Sequence, residues 1–345
     1  MGEKSTKVSS FKAAKVRLEI AAVLGLIAVA GVALFGPRAP LASGPIIVNT
    51  TADPGSARVC ALRDAITAAN TQVAVNGCAA GTGTDTITFS VSGTITLSSA
   101  LPAIANASTG SLTIDGSGQT IAGAGAYQVL VVDSGTTLTL NNLTIENGSS
   151  ASGGGVYNGG TLTVTNTTFS DNSASLGGGG IYNGGTATVS NSILANEDTG
   201  GNCSGTITYG TRSGYNISDD GTCVFGTTST GANGDPIGDN VNPLLATDGL
   251  QNNGGPTETI ALQATSPAVE TVPLADCTVT TDQRGAPRPA PGYTACDIGA
   301  FEYGGVVPSP SRITSMTLTV VGDDGLPPMP DSVFKGYFRR FQHRT

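Results

Sequence analysis

A pattern of about 25 residues is written nearly three times between Thr136 and Leu194, and this period constrains the chain more than any other feature. Leu112, Leu138, Leu162 and Ala187 each open a short alternating run (LTI, LTL, LTV, ATV), at spacings of 26, 24 and 25 residues. Asn142, Asn166 and Asn191 recur in the same phase, with Ile145, Phe169 and Leu194 three residues after each. Val156 and Ile181, in GGGVYNGG and GGGGIYNGG, mark a second phase 25 apart. A fixed period of this size means stacked units, each too small to bury its own apolar face. The runs alternate with period two and are broken by Gly and Asn, so each unit reads as short strands joined by tight turns. The expected fold is all-β: a right-handed parallel β-helix of roughly seven coils from about Ile46 to Phe225. Leu138, Leu162 and Ala187 should stack facing inward.

Composition supports an ordered, narrow core. Only 12% of residues are charged and 49 of 345 are Gly, yet 39% are hydrophobic, many of them in alternating runs. Charge is unevenly spread. Residues 44–303 hold five Arg, no Lys and 20 acids. Such a body repels phosphate backbones, which excludes a nucleic-acid partner. It also disfavours an anionic polysaccharide unless a cation bridges it.

The two ends differ from the body. Lys4, Lys7, Lys12, Lys15 and Arg17 precede an apolar stretch from Ile20 to Phe35, which Gly36-Pro37 ends. Residues 1–43 are therefore read as a signal peptide, cleaved after Ala42, or as a retained N-terminal membrane anchor. Either reading exports the body. Six Cys suit an oxidising compartment. They fall into local pairs, Cys60/Cys78, Cys203/Cys223 and Cys277/Cys296, although six thiols permit fifteen connectivities. The tail, 304–345, has a Pro/Ser linker and a basic-aromatic end and is read as a disordered extension.

Ahead of the repeats lies Cys60-Ala-Leu-Arg-Asp-Ala-Ile-Thr-Ala-Ala-Asn70. Leu62, Ala65, Ile66 and Ala69 follow the i, i+3, i+4, i+7 spacing of one helical face. Such a helix can cap the open apolar end of the first coil, with Leu62 and Ile66 buried and Arg63 and Asp64 toward solvent or the rim. A Cys60–Cys78 bridge would pin it to the strand at Asp85–Phe89. The segment resembles the CSLREA motif of exported bacterial β-helix proteins, keeping Cys60, Leu62, Arg63 and Ala65 and replacing Ser and Glu with Ala61 and Asp64. Further on stand Asn242-Pro-Leu-Leu245, Asn253-Gly-Gly-Pro-Thr257, Ser266-Pro-Ala268, Asp282-Gln-Arg-Gly285 and Cys296-Asp-Ile-Gly-Ala-Phe-Glu302. That series resembles the choice-of-anchor Q domain, which ends β-helix surface proteins of the pectin-lyase-like superfamily. Together the resemblances cover residues 46–303, though no recognisable anchor follows Glu302. They imply a β-helix over 44–225, capped at 60–70, and a closing region over 226–303.

Asn at one phase of a β-helix can occupy a left-handed turn and bond its amide to the next in a ladder; Asn142, Asn166 and Asn191 are read this way. The Gly runs 153–155 and 177–180 are read as tight turns, since no phosphate-loop context surrounds them.

The sequence offers few groups suited to catalysis. No His lies in the body, the only one being His343, and no CxxC occurs, so a zinc site is not expected. Asp219-Asp220 is read as a solvated turn, with calcium or catalytic use as the alternative. Asp282, Arg284, Arg288, Asp297 and Glu302 are read as a hydrogen-bonded closing staple. Stacking at a period near 25 aligns Glu146, Asp171 and Glu197 into one column, read as a solvated edge stripe and a weak calcium site. No catalytic or cofactor-binding residue is assigned. The expected function is that of a non-catalytic, exported surface or adhesion-type protein. It is expected to be monomeric, with a cell-surface or extracellular glycan or protein as partner. The alternative is a carbohydrate-active enzyme, a polysaccharide lyase or glycoside hydrolase of pectin-lyase-like fold.

Overall fold

The structure, a computed structural model, describes residues 44–308 apart from 106–109, 117, 196–198, 210–211 and 227–228. The leader, most of the tail and Glu197 therefore lie outside the described residues. Within them the chain is a β-solenoid of parallel sheets with one α-helix.

Three sheets run along it. The first stacks seven strands: β1 (Ile46–Val48), β2 (Thr84–Phe89), β4 (Ser111–Asp115), β7 (Thr137–Asn141), β11 (Thr161–Thr165), β15 (Thr186–Ser190) and β18 (Ile207–Thr208). The third stacks six: β3 (Thr94–Thr96), β5 (Thr120–Ala122), β8 (Thr144–Glu146), β12 (Thr168–Ser170), β16 (Ile193–Ala195) and β19 (Ile217–Ser218). Between them in each full turn lies the second sheet: β6 (Leu130–Val132), β10 (Val156–Asn158), β14 (Ile181–Asn183) and β17 (Cys203–Ser204). A two-stranded pair, β9 (Ser149–Ser150) with β13 (Ser173–Ala174), lines one corner. The expected seven coils become about five turns, because β1 and β2 begin the first sheet before the second sheet has formed.

The register follows the repeat. Leu112, Leu138, Leu162 and Ala187 pair in succession across the first sheet, and all are buried. Ile121, Ile145, Phe169 and Leu194 do the same in the third, and Leu130, Val156 and Ile181 in the second. These three inward columns form the core. Burying one such side chain is worth about 1.5–3 kcal/mol, so the stack supplies the stability that no single turn has alone.

Helix α1 (Leu62–Thr71) closes the first turn, with Leu62, Ala65, Ile66, Ala68 and Ala69 buried. It has no side-chain cap at Ala61 and ends at Gln72 in a left-handed conformation. Arg63 holds it in place from outside. Its guanidinium pairs with Asp53 and donates to the Ser99 and Ala100 carbonyls at 3.0 and 3.2 Å. Burial pushes the Asp53 carboxyl up, but bonds from Arg63 and Ser98 outweigh it and hold it below its ordinary range. The three neighbouring Cys pairs, 60–78, 203–223 and 277–296, are all disulfides.

Residues after Phe225 form three small antiparallel pairs: β20 (Ser229–Thr230) with β21 (Pro236–Ile237), β22 (Leu245–Gln251) with β23 (Thr259–Leu262), and β24 (Val272–Pro273) with β25 (Ala295–Cys296). This region does more than close an end. It lies along the outward face of the third sheet, where Ile193, Ala195 and Ile217 join Ile237, Leu245, Ile260, Leu262, Val272, Ile298 and Phe301 in a second apolar cluster. Gly118 shows how close the approach is: it has φ of 105°, and a side-chain carbon there would run into the Gln283 carbonyl.

Candidate functional surface

The three sheets give the solenoid three lateral faces, and they differ in what remains open. The third is covered. Gln283, fully buried, accepts from Thr144 Oγ1 at 2.6 Å and donates to Thr120 Oγ1 at 2.9 Å. The Ala300 amide donates to Thr168 Oγ1 at 3.1 Å, and Thr120 donates to the Glu258 carbonyl. Gln283 lies within Asp282-Gln-Arg-Gly285, and its signal in the sequence is an uncharged, double-ended side chain between two residues of a buried ion network.

Asn142, Asn166 and Asn191 hold the same docking from the turn beside that face. Each has φ near +50° and is buried, as a left-handed turn position requires. Their amides do not bond one another, however. They donate to the Thr281 carbonyl (3.4 Å), Thr278 Oγ1 (3.0 Å) and the Asp276 carbonyl (3.0 Å). The passing C-terminal segment takes each amide donor more directly than a neighbour 4.8 Å away would. The amide-to-amide contact lies instead on the second sheet, where Asn158 Nδ2 donates to Asn183 Oδ1 at 2.6 Å.

The staple residues are one buried network. Arg284 pairs with Asp282 at 2.8 Å and lies over the Phe301 ring, 3.8 Å from its centroid. Arg288 pairs with Glu302 at 2.8 Å and donates to the Gly299 and Asp297 carbonyls. Burial, then the neighbouring Glu302, pushes the Asp297 carboxyl up to about 7. Glu302 is also raised by burial. The Arg288 guanidinium opposes that rise in Glu302.

Of the expected acidic column, Glu197 lies outside the described residues, and Glu146 and Asp171 stand near each other but out of register. Glu146 pairs in register with Ser170, not Asp171, because Asp171 takes the left-handed position of the following turn, as Asn147 does one turn earlier. Nor is Glu146 a solvated edge residue: it is 6% exposed. Burial raises its carboxyl to about 7, helped by Asp171 and Glu258 and opposed by the Asn147 amide. A hollow of about 330 Å³ opens beside Asp171, lined also by Ser170, Asn242, Leu244, Thr247 and Gln263. It carries one carboxylate and no base. Asp219 and Asp220 are tied into the turn between Cys203 and Cys223. Asp220 accepts from Ser218, Thr222 and the Asn202 amide, and Asp219 from the Asn202 side chain. Among the described residues no group of three His, Cys, Asp or Glu is placed to hold a metal ion.

Among the described residues two faces stay open. On the second, Tyr157 and Tyr182 stack 5.2 Å apart. On the first, the outward positions form a grid. Its inner column, Thr86, Thr113, Thr139, Thr163, Thr188 and Thr208, is paired strand by strand. A second column runs two residues before it from Thr84 through Ser111 to Thr186. These positions are half-buried or exposed, and Asp115 is the one charged residue at an outward position of these strands. The site that emerges is thus a hydroxyl surface with one carboxylate, positioned by the same alternation that buries the Leu column.

No known protein family matches the chain, and neither does any curated protein or any solved structure. The fold and its surfaces define a disulfide-bonded parallel β-solenoid. Three disulfides are compatible with an extracellular location.

Proposed function

We propose that this is a non-catalytic, exported β-helix protein of the surface or adhesion type that works through an open lateral face. The observation that carries the reading is the division of labour among side chains. Acids cluster where they hold the fold, in the Asp282–Glu302 network, the Asp219–Asp220 turn and the Arg63–Asp53 clasp. The uncovered first face is neutral and regular. The CSLREA-like segment and the choice-of-anchor Q-like series support the same assignment, as does the order of basic and apolar parts in residues 1–43. Partners are sought among extracellular or cell-surface components, not nucleic acids, which a body with 20 acids against five Arg repels.

A second reading, a glycan-cleaving enzyme, draws on one observation: Glu146, with its carboxyl raised to about 7, stands near Asp171. General acid catalysis uses such a group, but Glu146 is covered and its neighbour is another acid. Incubating the purified chain with pectate, polygalacturonate and a neutral glycan panel, with and without calcium, tests both readings. The expected result is no release of reducing ends or unsaturated products. Release that Glu146→Gln or Asp171→Asn abolishes would overturn the non-catalytic assignment.

A further inference from the structure

We propose that the threonine face of the first sheet is an ice-binding surface, the ligand being the ordered water lattice of a crystal face. This rests on the reading that the protein acts through its open lateral face, and it names what that face binds.

The geometry is periodic in two directions. Successive strands place equivalent hydroxyls about 4.8 Å apart, and the two residues of each Thr-x-Thr lie about 6.6 Å apart along the strand. Both distances are close to oxygen repeats on the prism faces of hexagonal ice. Five strands carry the pair in full or with Ser in place of one Thr: 84/86, 111/113, 137/139, 161/163 and 186/188. Thr206 and Thr208 extend the series at the last turn.

Chemistry favours the same ligand. A β-branched side chain has a restricted χ1, so stacked threonines present methyl and hydroxyl in a repeated orientation. None of the hydroxyls in the two columns bonds to another side chain among the described residues; the contact between Thr165 and Ser190 belongs to the next column. They are free to take places in a water lattice. Charge complementarity points the same way. An acidic body that leaves a single carboxylate, Asp115, on this face presents a neutral surface to a neutral crystal. Fixed charges would instead hold hydration shells that do not fit one. A crystalline glycan is the competing flat ligand, but sugar rings stack on aromatic rings. The aromatic pair, Tyr157 and Tyr182, lies on the second sheet.

The test uses the full chain with its disulfides intact. Growing ice is passed slowly through a solution of the protein; the fraction incorporated, the shape of single crystals and the gap between melting and growth temperatures are measured. Wild type and Tyr157→Lys, altered on the second face, should enter the ice, facet the crystals and open a freezing gap. Thr139→Lys/Thr163→Lys should lose all three while keeping the β circular dichroism and thiol count of wild type. If that pair fails to fold, Thr163→Tyr, a strand-favouring neutral residue that interrupts the Thr column with a bulky ring, replaces it and should also lose incorporation. Exclusion of folded wild type from ice overturns the proposal, as does ice binding that survives both Thr variants. Binding to crystalline cellulose or chitin with no effect on ice overturns it too, while leaving the non-catalytic surface assignment standing. Glycan turnover would defeat that assignment through a separate readout.

Discussion

Replacing Glu146 by Gln should stabilise the protein at pH 8 and leave it unchanged at pH 4. Glu146 ends β8 on the covered third face, 6% exposed. Burial chiefly, with Asp171 and Glu258 adding repulsion, raises its carboxyl from 4.5 to about 7 despite a 3.3 Å bond from the Asn147 amide. The unfolded chain releases this proton near 4.5, the folded chain near 7. Between these values the folded state binds more protons, so stability is fully present below about 4.5 and is lost as pH rises through 7. At ~1.4 kcal/mol per pH unit the displacement is worth at most about 3.5 kcal/mol. Solvent in the hollow beside Asp171 screens part of it, which brings the expected gain to about 2 kcal/mol. Gln keeps the shape and removes the charge. Urea midpoints followed by circular dichroism from pH 4 to 8, with disulfides intact, give the difference between variant and wild type. Asp297 and Glu302 also titrate, but they belong to a different network and cancel in that difference. A difference independent of pH, or a variant less stable than wild type at pH 8, would refute the reasoning.

Other perturbations separate the parts of the fold. Arg288→Met should cost about 3–5 kcal/mol by leaving Glu302 buried without its cation; Arg288→Lys should not restore it, because one ammonium cannot reach Glu302, Gly299 and Asp297 together. Asn166→Ala should cost about 2 kcal/mol, from the left-handed backbone and the lost bond to Thr278, and should speed proteolysis of the C-terminal region before that of the solenoid. Cys203→Ser/Cys223→Ser opens a loop with a separation of 20 residues and should lower stability by about 3 kcal/mol, read as a shift in the denaturant midpoint. Leu62→Asp places a charge where 1% of the side chain is exposed. It should reduce soluble exported yield sharply; a normal yield would mean that the helix does not seal the first turn.

The repeat carried most of the fold. A period near 25 with alternating Thr and Leu determines strands, turns and stacking, because only one register buries every Leu and Ile at once. The pairs Leu138–Leu162–Ala187 and Ile145–Phe169–Leu194 follow from spacing alone. The Thr-x-Thr positions were equally present in the sequence, as the polar half of the alternation, but a polar strand face reads simply as solvent-exposed until its columns are seen to be aligned and uncovered. Local spacing also singled out the Cys pairs and the amphipathic run at 62–69.

What only the tertiary structure decided concerns residues far apart in the chain. That Asn142, Asn166 and Asn191 bond Thr281, Thr278 and Asp276 depends on a segment more than 80 residues away, whose path has no period to betray it. Ile193 and Ile217 occupy the phase held by Thr144 and Thr168 in earlier turns; the change to an apolar residue marks a covered face, but what covers it is set by long-range packing. Glu146 and Asp171 illustrate the limit most sharply. A spacing of 25 residues suggested one column, yet turns of 24 and 25 residues shift phase by one position, and one position moves a side chain from a strand to a turn. Period determines the stack; the loops between strands, and the segment that packs across them, decide which polar groups meet.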